Sequence, residues 1–266
     1  MNANPFTDNI VILTGASSGI GQQLAFRLVD EGARLTLAAR SIEGLKETAK
    51  ICEQKGGEVL VIPTDISEQS QCQHLVERTI KEYGRIDTLI NNAGISMHAR
   101  FDEIQDINMI EKIMRVNFLG SVYCTYYALP HLKRSIGRLV GISSYGGKFP
   151  SPYASGYGAS KHAMAGFFDS LRVELKDTGV SVTMIYVSWV ATGISSRALG
   201  ADGKRLGKTR RHEEGAMPVE TCVDLILEAA AKRKREYLPL RGKLGMWFKL
   251  FSPGVVDREA IKTLGE

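Results

Sequence analysis

The sequence predicts an α/β protein built on a single doubly wound parallel sheet of Rossmann type, with helices on both faces. Three observations carry this. Short apolar runs rich in Val, Ile and Leu alternate with longer segments of helical periodicity. The first run breaks into a glycine-rich turn, "TGASSGIG", that opens directly into a helical pattern. The chain has 266 residues, 44% of them hydrophobic and 24% charged, which is enough core for one large domain. Residues 1–266 therefore read as a single domain.

The elements follow in order. "IVILTG" is a buried strand ending in glycine, and Ile20, Leu24 and Leu28 follow at helical spacing. "ARLTLAAR" is the second strand, followed by a helix face of Ile42, Leu45, Ala49 and Cys52. "EVLVIPTD" is the third, stopped by Pro63, and Leu75, Val76, Thr79, Ile80 and Tyr83 mark the next helix. "DTLINNAG" is the fourth strand; "IGRLVGISS" and "GVSVTMIYVS" are later ones, with helices over 104–135 and 157–178. Residues 193–215 are rich in Gly, Arg and Lys, lack periodicity, and read as a mobile excursion of the kind that forms a substrate lid. Residues 242–266 form a C-terminal extension.

Bulk chemistry narrows the partners. The net charge of +5 is a mild excess that suits a phosphorylated ligand or an anionic surface. The densest basic stretch, "KRKR" at 232–235, reads as the solvated last turn of a helix, so no nucleic-acid partner is expected. Cys52, Cys72, Cys124 and Cys222 are scattered, which fits reduced thiols in a cytoplasmic protein. The N-terminus lacks a basic, then apolar, leader pattern. The longest uncharged run, 116–130, is too short to span a bilayer. His98, His131, His162 and His212 have no metal-ligand spacing, and no metal is expected.

A phosphate needs backbone N–H donors at the positive end of a helix, and glycines let the backbone come close. Gly15, Gly19 and Gly21 supply this with the spacing G-x-x-x-G-x-G. "GASSG" also matches the nucleophile elbow of the α/β-hydrolases, which would make Ser17 a nucleophile and His212 its late base. The elbow would then sit on the first strand, too early for that fold. After the second strand an acidic residue would hold the free ribose hydroxyls of NAD. The chain has Ala39 and then Arg40, and an arginine suits a 2′-phosphate.

Four pieces now stand in one order: "TGASSGIG", "NNAG", the Ser143–Ser144 pair, and Tyr157 four residues before Lys161. Together they resemble the short-chain dehydrogenase/reductase family of NAD(P)-dependent oxidoreductases, over about residues 10–192. The C-terminal third resembles, more loosely, the branch containing the 11β-hydroxysteroid dehydrogenases. The resemblance implies catalytic roles for Ser144, Tyr157, Lys161 and Asn117. It also implies a cofactor site of Gly15, Ser17, Ser18, Gly19, Ile20, Gly21, Arg40, Asp65, Ile66, Asn91, Ala93, Gly94, Tyr157, Lys161, Val190 and Thr192. Within it Asp65 holds the adenine amine, Thr192 meets the nicotinamide amide, and Asn117 helps hold a water that links the lysine to solvent. With Arg40, the implied cofactor is NADP(H) rather than NAD(H). One departure stands out. The family usually has Pro-Gly where this chain has Val187–Ser188, and Trp189 beside them is a candidate wall of the substrate pocket.

The residue types explain the chemistry. Reducing a ketone needs a hydride and a proton for the developing alkoxide. A free phenol titrates near 10, and an ammonium within a few ångströms is expected to lower that value. Positions i and i+4 share a helix face, which sets Lys161 beside Tyr157. Ser144 can donate to the carbonyl oxygen as charge develops. The expected activity is NADP(H)-dependent interconversion of a carbonyl and its alcohol. The competing expectation is a catalytically silent NADP(H)-binding sensor of the same fold. Residues 95–101, 145–153 and those after Thr192 lean apolar and aromatic, which favours a hydrophobic substrate. The family commonly pairs through the helix before Ser144 and the helix bearing Tyr157, so a homodimer or homotetramer is expected. "LGMWFKLFSPGVV" at the C-terminus admits two readings: contact with a membrane surface, or cover for the substrate mouth or a partner subunit.

Overall fold

A computed structural model describes residues 4–207 and 215–262. Its centre is a seven-stranded sheet in the order β3-β2-β1-β4-β5-β6-β7, parallel throughout. The strands are β1 (Ile10–Thr14), β2 (Arg34–Ala39), β3 (Val59–Pro63), β4 (Thr88–Asn91), β5 (Arg138–Ser144), β6 (Ser181–Val187) and β7 (Glu236–Tyr237). Nearly every residue of β1, β2 and β4 is buried, as expected for strands covered on both sides.

The helices are α1 (Gly19–Asp30), α2 (Ile42–Gln54), α3 (Gln69–Tyr83), α4 (Asn108–Met114), α5 (Gly120–Ser135), α6 (Ser155–Glu174), α7 (Val219–Ala231), α8 (Leu240–Phe251) and α9 (Pro253–Lys262). Two apolar cores lie against the sheet. One is built from α1, α2 and α7 around Leu24, Leu45 and Ile226. The other comes from α3, α5 and α6 around Leu75, Leu132 and Phe168. The order reverses at β1, whose neighbours are β2 and β4. That switch point leaves a crevice at the carboxyl ends of the strands, where ligands bind in open α/β sheets.

Several expectations change. The helix expected over 104–135 begins at Asn108 and is interrupted by a π turn at Arg115–Leu119. Such a turn widens the backbone locally and often marks a functional position. The "KRKR" stretch lies past the end of α7, not in its last turn. Arg233 turns back with φ 49° and donates to the carbonyls of Ile136, Gly137 and Gly179. Lys232 and Lys234 both pair with Glu228. Arg233 thus ties the starts of β5 and β6 together, while the two lysines pair with α7. β7, only Glu236–Tyr237, is too short to leave a periodic signal.

Residues 193–207 of the expected lid are tied down; 208–214 lie outside the described residues. Met97 and Leu199 form a parallel bridge. His98 N donates to Leu199 O at 2.8 Å, and Leu199 N donates to Ser96 O at 2.9 Å. Gln105 N donates to Ala201 O at 3.0 Å. Beneath these bonds Met97, Ala99, Met109, Ile113 and Leu199 form a small third core.

Candidate active site

β1 ends at Thr14, and the chain turns at Gly15 with φ 69°, in the left-handed region that favours glycine. A side chain there would press within 2.8 Å of the Ala93 Cα. Gly19, φ 58°, begins α1 with its Cα facing Thr192. Ser18 precedes α1 and makes no side-chain cap bond. The first amides of α1 thus face the crevice, beside the segment that leaves β6.

A cavity of about 800 Å³ runs along this crevice. Its walls include Gly15, Ser17, Ser18, Gly19 and Ile20 from the loop, then Arg40, Asp65 and Ile66 from the ends of β2 and β3. Ala93 and Gly94 after β4, Tyr157 and Lys161 on α6, and Thr192 complete the expected residues that it touches. Arg40 is exposed at the rim and makes no ion pair among the described residues. Asp65 Oδ1 accepts from the Ser67 amide and hydroxyl at 3.0 and 2.7 Å, which fixes its carboxylate.

Five expected residues do not line the cavity: Ser144, whose neighbour Ser143 does, and Gly21, Asn91, Val190 and Asn117. Gly21 is buried, and a Cβ there would collide with the Gly15 carbonyl oxygen, so its role is close packing of the loop. Asn91 turns its Nδ2 to the Thr125 hydroxyl at 3.1 Å; the neighbouring Asn92 faces the cavity instead. Val190 is buried and bridges to Met217. Asn117 sits in the π turn, fully buried. Its amide donates to Ile95 O and Ser160 Oγ, each at 2.9 Å, and accepts from Ile95 N at 2.8 Å. Ser160 Oγ in turn donates to the Tyr157 carbonyl at 2.7 Å. Asn117 therefore locks the strand exit to the helix that bears Tyr157. Trp189, expected as a pocket wall, is not among the walls of this cavity; its carbonyl accepts from the Met217 amide at 2.9 Å.

The reactive groups converge at the end of β5. Ser144 Oγ accepts from the Gly146 amide at 3.2 Å and hydrogen-bonds the Tyr157 phenol. Burial raises the phenol above its ordinary value, and the bond to Ser144 pulls it partly back. Lys161 is buried, donates to the Ile142 carbonyl at 2.9 Å, and lies 6.0 Å from the centre of the Tyr157 ring. Burial pushes its ammonium down to about 8. The Ser144 hydroxyl offsets part of the effect of burial on the phenol, while Lys161, anchored on the Ile142 carbonyl, stands 6.0 Å from the ring centre. Gly94 lies beside this pair, where a Cβ would approach Asn117 Oδ1 at 3.2 Å and Lys161 Nζ at 3.6 Å.

Sequence reasoning missed Ser41, Glu43 and Lys112 as walls, and the wall it expected after Thr192 as leaning apolar carries Arg197 and Arg205. Arg197 donates to the Thr192 carbonyl at 3.1 Å, and its guanidinium is held below its usual value by burial and by the charge of Arg205. Neither arginine has an ion-pair partner among the described residues. Only the excess of arginine over acid in 193–207 hinted at this in the sequence.

Comparison with known proteins places this geometry. A family model described as short chain dehydrogenase matches residues 9–201. Among curated proteins, the chain is 39% identical over 188 residues to an 11-beta-hydroxysteroid dehydrogenase-like 3 of Arabidopsis thaliana, covering 70% of this chain and 60% of that one. It is 34% identical over 255 residues to an 11-beta-hydroxysteroid dehydrogenase A of Sesamum indicum, covering 93% and 73%. The match thus spans about 60% of the length of the first of these relatives. Among solved structures, a short-chain dehydrogenase/reductase from Burkholderia phymatum in complex with NAD superposes with a TM-score of 0.82 at 22% identity, covering 94% and 96%. Another, of unknown function from Caenorhabditis elegans and solved with cofactor, gives 0.76 at 28%, covering 87% and 91%.

Proposed function

The chain belongs to the short-chain dehydrogenase family, and on that premise we propose that it interconverts a carbonyl compound and its alcohol with NADP(H) as the hydride carrier. One observation carries the reading: a single cavity is walled at once by the glycine loop, by Arg40, and by the Tyr157–Lys161 pair.

The residues present fit such a cofactor. The glycine turn is shaped so that a Cβ at Gly15 would clash with the backbone beyond it, and the amides of α1 suit a diphosphate. Arg40, exposed and without an ion pair among the described residues, suits a 2′-phosphate. Asp65 and Ile66 border the adenine end, and Gly94, Tyr157, Lys161 and Thr192 the nicotinamide end. When bound, NADP(H) supplies or accepts a hydride. The chain handles the proton. Ser144 Oγ donates to the substrate oxygen, and Tyr157 Oη gives up or takes the proton at that oxygen. Lys161, fixed by the Ile142 carbonyl, keeps a positive charge at the same wall.

The third core of Met97, Ala99, Met109 and Leu199 reaches Tyr157, which supports an apolar substrate. Assembly through α5 and α6 is the proposed oligomer contact, and Tyr126 and Val173 are the large apolar side chains these helices expose. An NADPH-oxidation screen over ketones and aldehydes tests the reading, with tryptophan fluorescence reporting cofactor binding. Turnover of an apolar ketone with NADPH is expected. Tight NADPH binding without turnover of any carbonyl would favour the silent sensor instead.

A further inference from the structure

α8 is amphipathic the wrong way round for a helix that covers a core. The residues it turns inward are Gly242, Gly245, Met246 and Lys249, spaced i, i+3, i+4 and i+7. Gly242 lies against Leu238 and the Tyr145 hydroxyl, Gly245 against the Phe149 ring, and Lys249 donates to the Lys148 carbonyl at 2.6 Å. Glycine and a lysine stem let the helix lie close on the 145–149 segment that follows Ser144. The outward face is the apolar one. Leu240, Leu244, Trp247 and Phe251 fall on one stripe at i, i+4, i+7 and i+11, with Phe248 and Leu250 beside it. All six are more than half exposed, up to 73%. Trp247 and Phe251 stack with ring centres 5.8 Å apart, which makes the stripe continuous between them.

Scattered exposed apolar residues need no explanation, but a contiguous patch this rich marks an interaction surface. Its border says what kind. Arg241 and Lys243 are exposed on either side of the stripe, and α8 carries no acidic residue. A symmetric contact with a second copy would bring these cations together with no carboxylate on the helix to meet them. An apolar stripe with aromatic anchors and basic flanks matches the interfacial layer of an anionic bilayer. No helix of the described residues is long and apolar enough to cross a membrane, and α8, with 12 residues, suits the plane of the interface.

We propose that α8 seats the protein on anionic lipid surfaces, its Leu240–Leu244–Trp247–Phe251 stripe in the headgroup layer and Arg241 and Lys243 on the lipid charges. The proposal does not depend on which cofactor the cavity takes.

The test uses the full chain and vesicles of phosphatidylcholine with or without phosphatidylglycerol, read by flotation and by quenching of Trp247 with brominated lipid. Binding is expected only with phosphatidylglycerol, weakening as salt rises. Leu244→Glu with Phe248→Glu is expected to cut binding at least about tenfold, since both side chains trade apolar burial for charge. Their exposure predicts unchanged melting temperature and cofactor affinity. Arg241→Gln with Lys243→Gln is expected to weaken binding to anionic vesicles. Three results would overturn the proposal: no flotation of the parent protein, equal binding of parent and Glu variant, or equal binding to uncharged vesicles. Loss of an oligomer in the Glu variant, with no lipid binding in the parent, would assign the face to a second copy and also overturn it.

Discussion

Lys161 Nζ stands 6.0 Å from the centre of the Tyr157 ring and donates to the Ile142 carbonyl, while the phenol bonds instead to Ser144. Burial acts on the two groups in opposite directions, raising the phenol and lowering the ammonium to about 8. The lysine is therefore a desolvated cation held by one carbonyl, and the serine is the direct partner of the reacting hydroxyl.

A buried cation has a signature in stability. The Lys161 ammonium titrates at about 8 in the folded protein against 10.5 in the ordinary case. Between those values the unfolded chain binds more protons than the folded one, so this group makes stability rise with pH across that window. Below about 8 both states are protonated and the penalty is fully present. At about 1.4 kcal/mol per unit, the whole window amounts to about 3 kcal/mol. In urea unfolding, the stability of Lys161→Met relative to the parent should be greatest at pH 7 and fall by that order towards pH 10.5. Parallel pH curves for the two proteins would contradict this.

Ser144→Ala removes the hydrogen bond that offsets part of the effect of burial on the Tyr157 phenol. Its turnover should fall by about 100-fold, the usual effect of losing a donor to a developing oxyanion. The limb of the pH–rate profile that reports Tyr157 should also move to higher pH, with cofactor affinity unchanged. A slower enzyme with an unmoved limb would leave Ser144 only the substrate contact.

Arg40→Gln should weaken NADPH at least about tenfold and leave NADH nearly unchanged, since a charge-assisted bond contributes about 1.5–3 kcal/mol. Fluorescence titration reads both affinities. An equal change for the two cofactors would refute a 2′-phosphate role.

Arg197 behaves differently in this account. It stands on the cavity wall beside Thr192, repelled by Arg205 and without an ion-pair partner among the described residues. The phosphates that NADH and NADPH share would relieve that repulsion. Arg197→Gln should therefore weaken both cofactors alike, by about 3–10-fold for a partly exposed charge, and flatten the salt dependence of binding. Isothermal titration at two ionic strengths checks it.

Much of the fold was legible because its strands are short, wholly apolar runs and its helices have one-sided faces. β1, α1, β2 and α2 follow directly from that patterning. The glycine loop, Arg40, Tyr157 and Lys161 were legible because their chemistry needs particular residues at short spacing. What stayed hidden depends on contacts between distant segments. Arg197 reaches the cavity from a segment that the Leu199–Met97 bridge fastens to a distant part of the chain. Arg233 caps strand ends far away in sequence. The outward turn of the α8 stripe is set by glycines that nothing local distinguishes from flexible ones. Which partner Lys161 takes is likewise a matter of where the end of β5 places the Ile142 carbonyl.

The most direct test of the account is single-turnover NADPH oxidation by Tyr157→Phe with a ketone that the parent reduces. The account predicts loss of turnover by at least about 1,000-fold, in the upper part of the range for general acid catalysis because the hydroxyl also orients the carbonyl, with NADPH affinity and melting temperature unchanged. Turnover by Tyr157→Phe at the parent's rate would mean that the proton travels by another group and that the convergence of Ser144 and Tyr157 is not the reaction centre.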